Sequence, residues 1–208
     1  MKRFLVGLCL FFFLGTSWAV NAFDEIQLQV LQLLGENCPS CDLSRAKLSK
    51  EDLSGRNLTE ADLTQADLNG ANLSGANLTN AKLTGAHLGT ANLSKANLTW
   101  ADPSGANLNW AVLTEVNMTG ANLTKATLMW AKLTGANLTD VTLKGANLGG
   151  ANLSGANLSA ADLSGANLTG ADLNEVNLSG ADLEGANLTE TKMCETKMPN
   201  GIINNSSC

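Results

Sequence analysis

A leucine recurs at every fifth position through most of this chain, and this period constrains the fold more than any other feature. Between residues 43 and 198, 28 of the 32 positions in this register are Leu and one is Pro103. Two residues before these positions, 24 of 32 are Ala, and no insertion or deletion breaks the register. The three remaining positions of the leucine register are Met118, Met193 and Met198.

A period of five fits neither a continuous helix nor a continuous strand. On a helix, each step of five rotates the leucine by about 140°, which spreads the leucines around the whole circumference. On a strand, an odd period sends successive leucines to opposite faces. Because every leucine can point inward only if the chain turns once per five residues, the sequence predicts a solenoid of stacked coils.

The repeats resemble those of a known family. The runs ANLSG at residues 71–75 and ANLTK at residues 121–125 match the A(D/N)LxX motif of pentapeptide-repeat proteins. The resemblance covers residues 41–198 and implies an all-β solenoid, a right-handed quadrilateral parallel β-helix with four repeats per coil. We therefore expect about eight coils and, at ~4.8 Å per coil, a rod roughly 35–40 Å long.

The first 22 residues predict a secretory signal peptide. Lys2 and Arg3 precede a short apolar run, and small residues favour cleavage after Ala22, with Ala19 as the alternative. The apolar run is shorter than the ~20 residues that span a bilayer, so we expect no stable membrane anchor after cleavage. Cleavage removes two of the 13 basic residues and none of the 19 acidic ones, which leaves a net charge of −8.

Residues 23–40 predict an N-terminal cap. Apolar residues recur at three- and four-residue spacing from Phe23 to Leu34, and Gly35 ends the pattern. This spacing predicts a short amphipathic helix over residues 24–34 that covers the open end of the first coil. Residues 41–198 then form the repeat array, and residues 199–208 form a C-terminal tail.

Four cysteines remain after cleavage, and an even number in an exported chain favours disulfides over metal binding or free thiols. One interpretation is a structural disulfide between Cys38 and Cys41 that pins the cap to the first coil. The alternative is a redox-active CxxC motif, although the motif continues into the repeat rather than opening a helix. Cys194 and Cys208 would then tie down the tail, and three connectivities are possible.

The sequence predicts no enzyme and no catalytic residue. The single histidine, His87, follows Asp67 by twenty residues, so a four-sided coil stacks them on one flat face without a cleft or a lid. There is no phosphate-binding glycine loop and no cluster of His, Cys and Asp with metal-ligand spacing. We therefore predict neither a cofactor nor a metal.

Three tryptophans form a candidate binding surface, since Trp100, Trp110 and Trp130 each fall at an outward position two residues after the inward one. Trp110 and Trp130 are twenty residues apart and should lie in adjacent coils, with Trp100 on the opposite side. Exposed tryptophans are typical of protein interfaces and of sugar-stacking surfaces. The alternative is that these tryptophans have no binding role and are large side chains that a solenoid tolerates at outward positions.

The C-terminal half of the array is acidic. No basic residue lies between Lys144 and Lys192, and Asp162 and Asp182 share a face. The resemblance implies a possible role here, because some cytoplasmic members of the family imitate duplex DNA and bind DNA gyrase. The export signal, the cysteines and the sparse charge argue against this role, and a solvated acidic face is the simpler interpretation.

Taken together, these patterns predict an exported, non-enzymatic structural or protein-interaction scaffold. It most resembles exported pentapeptide proteins of cyanobacteria and of the thylakoid lumen, which implies a periplasmic or lumenal location. The expected partner is a protein, with no nucleic acid, and the oligomeric state stays open. A thiol-redox protein using Cys38 and Cys41 and an acidic DNA mimic are the alternatives.

Overall fold

The structure, a computed structural model, describes residues 37–208, and its backbone turns once per repeat throughout the array. Parallel bridges join residues that are twenty apart, from the pair Asn37 and Asn57 to the pair Asn177 and Lys197. Four repeats therefore complete one coil, and each coil lies directly on the one before it.

Each repeat contributes one side of the rod, and the outward residue just before the leucine position forms its bridge. Face 1 carries Asp42, face 2 Lys47, face 3 Asp52 and face 4 Asn57, and every twentieth residue after each lies on the same face. Faces 1 and 3 are consequently opposite, as are faces 2 and 4.

The backbone hydrogen bonds run between coils and around each corner. The Leu73 N–H donates to the Asn92 carbonyl at 2.7 Å, and the Asn92 N–H donates back to Ala71 at 2.9 Å. At the corner, the Ala76 N–H donates to the Leu73 carbonyl at 3.0 Å. Short segments thus satisfy their backbone groups without long strands, as buried polar groups require.

Every corner from Ser40 to Glu195 places its third turn residue in the left-handed region, as a type II turn requires. Glycine fills 14 of these 32 corners, and 18 carry other residues with φ between 55° and 62°. A side chain there costs about 1–2 kcal/mol. The Asn or Asp before the leucine supports the turn: Asn72 Oδ1, for instance, accepts the Ser74 N–H at 3.2 Å.

The interior is a continuous column of leucine and alanine. These side chains are buried from Leu43 to Leu178, with Val116 and Met118 among the substitutes. Pro103 is buried at a leucine position, and there the bridge between positions 102 and 122 is missing while the flanking bridges remain.

The array begins four residues earlier than the predicted boundary at residue 41. Asn37 already bridges to Asn57, and Cys38 occupies a leucine position with only 2% of its surface exposed. The CxxC motif therefore belongs to the first described coil rather than to a separate cap. The signal peptide over residues 1–22 and the helix over residues 24–34 lie outside the described residues and stay predictions; residues 37–208 contain no helix.

At the other end the tail folds back over the last coil. Strand β1 (Thr196–Lys197) pairs antiparallel with strand β2 (Ile203–Asn204), so Thr196 faces Asn204. A disulfide joins Cys194 to Cys208. Within residues 37–208, no helix is long and apolar enough to cross a membrane.

Candidate binding surface

Trp110 and Trp130 lie at the corner between faces 2 and 3, hereafter the Trp corner. Their ring centroids are 5.6 Å apart and their planes differ by 16°, so the two indoles stack. This arrangement follows from the twenty-residue coil, because equivalent corners lie about 4.8 Å apart along the rod. Such a stack contributes about 0.5–1.5 kcal/mol beyond the burial of its area.

Gly150, in the coil after Trp130, packs directly against the Trp130 ring. A β-carbon at Gly150 would lie 2.6 Å from the Cε3 and Cζ3 atoms of Trp130, so the indole rests directly on the glycine backbone. Trp100, at the corner between faces 4 and 1, rests in the same way on Gly120. Trp100 is therefore opposite the Trp corner and does not join its stack.

The Trp corner is open to solvent despite this stacking. Trp110 is 59% exposed, Trp130 52% and the adjacent Met129 36%, and Val112 on face 3 is half-buried beside them. Among residues 37–208, no hydrogen-bond acceptor reaches either indole N–H. The corner thus presents an apolar ridge that carries two donors without partners.

A local exception in the turn chemistry accompanies Met129. Position 127 is Thr instead of Asn or Asp, so the usual side-chain acceptor for the Met129 N–H is missing. The Met129 N–H donates instead to Asn109 Oδ1 of the preceding coil at 2.8 Å. This bond ties together the two coils that carry the tryptophans.

The charges around the Trp corner are mainly positive. Between residues 86 and 155, faces 2 and 3 carry a single carboxylate, Glu115. It lies at the corner between faces 3 and 4, away from the Trp corner. It pairs with Lys95 at 3.7 Å. Lys132 points outward on face 3 and Lys125 occupies the corner beyond face 2; neither has an ion pair among the described residues. The surroundings of the ridge therefore have the opposite sign to the whole chain, whose net charge is −6.

The structure joins the four candidate cysteines in two disulfides. Cys38 bonds to Cys41 across one corner, where the Cys41 N–H donates to the Cys38 carbonyl at 3.4 Å. Both cysteines point into the rod, and the motif opens no helix. This setting favours a structural disulfide over a redox-active one.

His87 and Asp67 bridge on face 2, and among the described residues no hydrogen bond joins their side chains. Asp67 Oδ1 accepts hydrogen bonds from the Asn69 backbone at 3.1 Å and from its side-chain amide at 2.7 Å. Within residues 37–208, no three His, Cys, Asp or Glu side chains come close enough to hold a metal ion. A depression of about 450 Å³ beside the tail is lined by residues 198–200 and 202–205, none of which is acidic, basic or a cysteine.

The acidic residues do not form a single stripe. Asp162 and Asp182 bridge on face 1, whereas Asp172 lies on the opposite face 3. Nearer the other end, a hydrogen bond from the Thr64 hydroxyl, then one from its backbone N–H, holds the pKa of Asp62 below its usual value of 3.8. Both the scatter and such local bonds fit carboxylates that support turns.

Two members of the Trp corner, Met129 and Gly150, are not among the residues that the sequence predicts for a binding surface. The signal for Met129 is its place next to Trp130 and two residues after Thr127, which replaces the usual Asn or Asp. Gly150 lies twenty residues after Trp130, so the register places it in the next coil. No sequence pattern shows, however, that the Trp130 ring leans toward it. The repeat register itself predicts the positions of the tryptophans.

Comparisons with known proteins agree on the repeat. Eight copies of the pentapeptide repeat match this chain between residues 37 and 200. HetL from the cyanobacterium Nostoc sp. strain PCC 7120, a pentapeptide repeat protein involved in heterocyst differentiation regulation, is 35% identical. The match covers 86% of this chain and 98% of HetL, with a TM-score of 0.55.

Two further solved structures are similar to this chain. A pentapeptide repeat protein from the Arabidopsis thaliana thylakoid lumen is 32% identical over 59% of this chain and 69% of its own, with a TM-score of 0.20. QnrB1, a plasmid-mediated fluoroquinolone resistance protein, is 20% identical over 75% of this chain and 90% of its own, with a TM-score of 0.46. Among curated proteins none matches significantly. The repeat profile and the HetL match show that this chain belongs to the pentapeptide-repeat family, whose fold is the right-handed quadrilateral β-helix.

Proposed function

We propose that this protein is an exported, non-enzymatic interaction scaffold that binds a partner protein at the Trp corner. The observation that carries this proposal is the stacked, exposed pair of Trp110 and Trp130. Two adjacent indoles on a rigid corner supply the aromatic anchors that dominate protein interfaces.

The fold itself gives no reason for tryptophan at these corners. Glycine fills 14 equivalent positions without the cost of about 1–2 kcal/mol that a side chain pays at positive φ. The stack returns only about 0.5–1.5 kcal/mol, and each tryptophan residue keeps more than half of its surface exposed. Since folding gains little from these residues, binding is the better account of them.

The scaffold role is supported by the regular backbone. Active sites are usually built on loops held by a rigid framework, and the repeat register runs without a loop from residue 43 to residue 198. The export part of the proposal rests on the N-terminal signal pattern and on the four cysteines of the mature chain. Periplasm or thylakoid lumen is the location that these features favour.

A pull-down from the exported compartment tests the proposal. Wild-type protein is compared with a Trp110→Ala/Trp130→Ala variant, and Trp100→Ala serves as the matched control on the opposite corner. We expect a partner that is retained by wild type and by the control but lost by the double variant. An unchanged partner list would contradict a binding role for the Trp corner, and a purely cytoplasmic pool would contradict export.

The thiol-redox alternative has its own test. Wild-type protein is incubated with mild reductant, its free thiols are titrated, and disulfide transfer to a reduced test substrate is measured. A structural Cys38–Cys41 bond resists reduction and transfers nothing. Ready exchange by Cys38 and Cys41 would favour the redox function instead.

A further inference from the structure

We infer that the partner of the Trp corner is an acidic segment of a protein, one that combines carboxylates with apolar side chains. This inference rests on the proposed binding function and adds the chemistry of the partner. The ridge offers hydrophobic surface, hydrogen-bond donors and positive charge, and an acidic apolar segment complements all three.

The charges around the ridge favour an acidic partner. The sections of faces 2 and 3 that cross residues 86–155 carry Lys95, Lys132 and one carboxylate, which Lys95 already pairs. Lys125 adds a further positive charge at the neighbouring corner. Beyond a Debye length of about 8 Å the negative charge of the rest of the rod is screened, so these lysines set the local field. Complementary potentials of this kind select partners and orient their approach.

The indole N–H groups favour the same partner. Both indole N–H groups are donors without acceptors, and an indole has no acceptor of its own. A partner that buries the ridge must therefore supply oxygen acceptors, because leaving a buried donor unsatisfied weakens binding. Carboxylates meet this requirement and also pair with Lys132.

The ridge is held ready for binding. Trp110 stacks on Trp130, Trp130 rests on Gly150, and the Met129 N–H is tied to the preceding coil. Gly150 is accordingly a positioning residue, since any side chain there would push the Trp130 ring away. A ring that is already in place loses less side-chain freedom on binding.

An anionic membrane surface offers the same charge, but the structure favours a protein. Membrane attraction by basic residues grows with each Lys near the surface, and in the described part of the chain only two unpaired lysines, Lys125 and Lys132, lie around the ridge. The two stacked rings, by contrast, form a compact anchor of the size that interface pockets accept. Lipid binding is therefore an outcome to be excluded by experiment.

Peptide selection provides the test. The exported protein is immobilised and used to select from a display library of random 16-residue peptides, with counter-selection on the Trp110→Ala/Trp130→Ala variant. We expect the selected peptides to be enriched in Asp and Glu together with Leu, Ile or Phe. Binding of the selected peptides should weaken about 30-fold or more in the double variant.

Two substitution pairs refine the result. Lys132→Glu should weaken binding of the selected peptides about tenfold, whereas Lys192→Glu, on the same face three coils away, should leave it unchanged. Gly150→Ala should weaken binding about fivefold through the displaced ring. Gly155→Ala is its matched control, because Gly155 has φ +68° and nothing within 4 Å of an added β-carbon.

Each outcome decides between the proposals. Trp-dependent peptides without excess carboxylates would overturn the acidic partner and leave the Trp corner as a binding surface. An absence of Trp-dependent peptides would overturn a peptide-like partner, and an unchanged pull-down would then remove the proposed function as well. Trp-dependent binding to phosphatidylglycerol vesicles, without selection of acidic peptides, would favour a membrane surface. Equal effects of Gly150→Ala and Gly155→Ala would contradict the positioning role.

Discussion

Between residues 43 and 198, Pro103 is the one residue of the leucine register that is neither Leu nor Met, and replacing it provides a sharp test of what holds the coils together. In the neighbouring coils, the Leu83 N–H donates to Asp102 at 2.9 Å and the Leu123 N–H donates to Thr142 at 2.7 Å. Proline has no N–H, so the carbonyl of Asn122 receives no backbone hydrogen bond among the described residues. The rest of the corner is intact, since the Ala106 N–H donates to the Pro103 carbonyl at 3.1 Å.

Three contributions set the change in the free energy of unfolding for Pro103→Leu. A restored backbone hydrogen bond contributes about 1 kcal/mol, and one additional buried carbon contributes about 0.8 kcal/mol. Loss of proline rigidity in the unfolded chain costs about 0.4–1 kcal/mol. We therefore expect Pro103→Leu to raise the free energy of unfolding by about 1 kcal/mol.

Pro103→Ala distinguishes the effect of the restored backbone N–H from the effect of the buried side chain. It restores the N–H but removes about two buried carbons and the proline rigidity, so it should lower the free energy of unfolding by about 1–2 kcal/mol. Guanidinium chloride unfolding of the three proteins, followed by circular dichroism, measures both differences. If Pro103→Leu were less stable than wild type, the inter-coil hydrogen bond would not have the value assigned to it.

Two further predictions concern the carboxylates and the tail. Hydrogen bonds from Ser54 to Asp52 and from Thr64 to Asp62 hold the pKa of both carboxyl groups below 3.8 in the folded protein. The stability that these carboxylates add is therefore present above pH 3.8 and is lost as the pH falls through their lowered pKa values. An Asp52→Asn/Asp62→Asn variant should therefore have nearly the wild-type melting temperature at pH 7, because Asn can accept the same hydrogen bonds. Between pH 4 and pH 2 its melting temperature should fall less than that of wild type. An equal fall in the two proteins would contradict this. Cys208→Ser should lower the free energy of opening of the tail by up to about 3 kcal/mol. Hydrogen exchange should then show lost protection in residues 193–208 alone, and lost protection throughout the array would show that the tail holds the whole rod.

The solenoid was predictable because its signal is repeated some thirty times, so that Ala and Leu at fixed positions leave no other compact arrangement. The neighbourhood of Trp110 and Trp130 followed from the same register once the coil was taken as four-sided. The predicted start at residue 41 lies after the first bridged residue, Asn37, because Cys38 stands at a leucine position there. The antiparallel pairing of β1 with β2 depends on contacts between a tail and a coil end that no period encodes.

The separation of folding and binding residues is what makes the Trp corner testable. Inward positions are fixed by packing, and where Asn or Asp precedes the leucine, its hydrogen bond to the turn also resists change. The corners need only a positive φ, which residues as different as Gly75, Ala160 and Glu175 adopt. Ala160 adopts it with φ +58°, so alanine at positions 110 and 130 leaves the backbone unchanged and removes only the rings. A loss of binding in that variant with an unchanged unfolding curve would therefore report on the surface, whereas a parallel loss of stability would mean that the stacked pair is part of the framework.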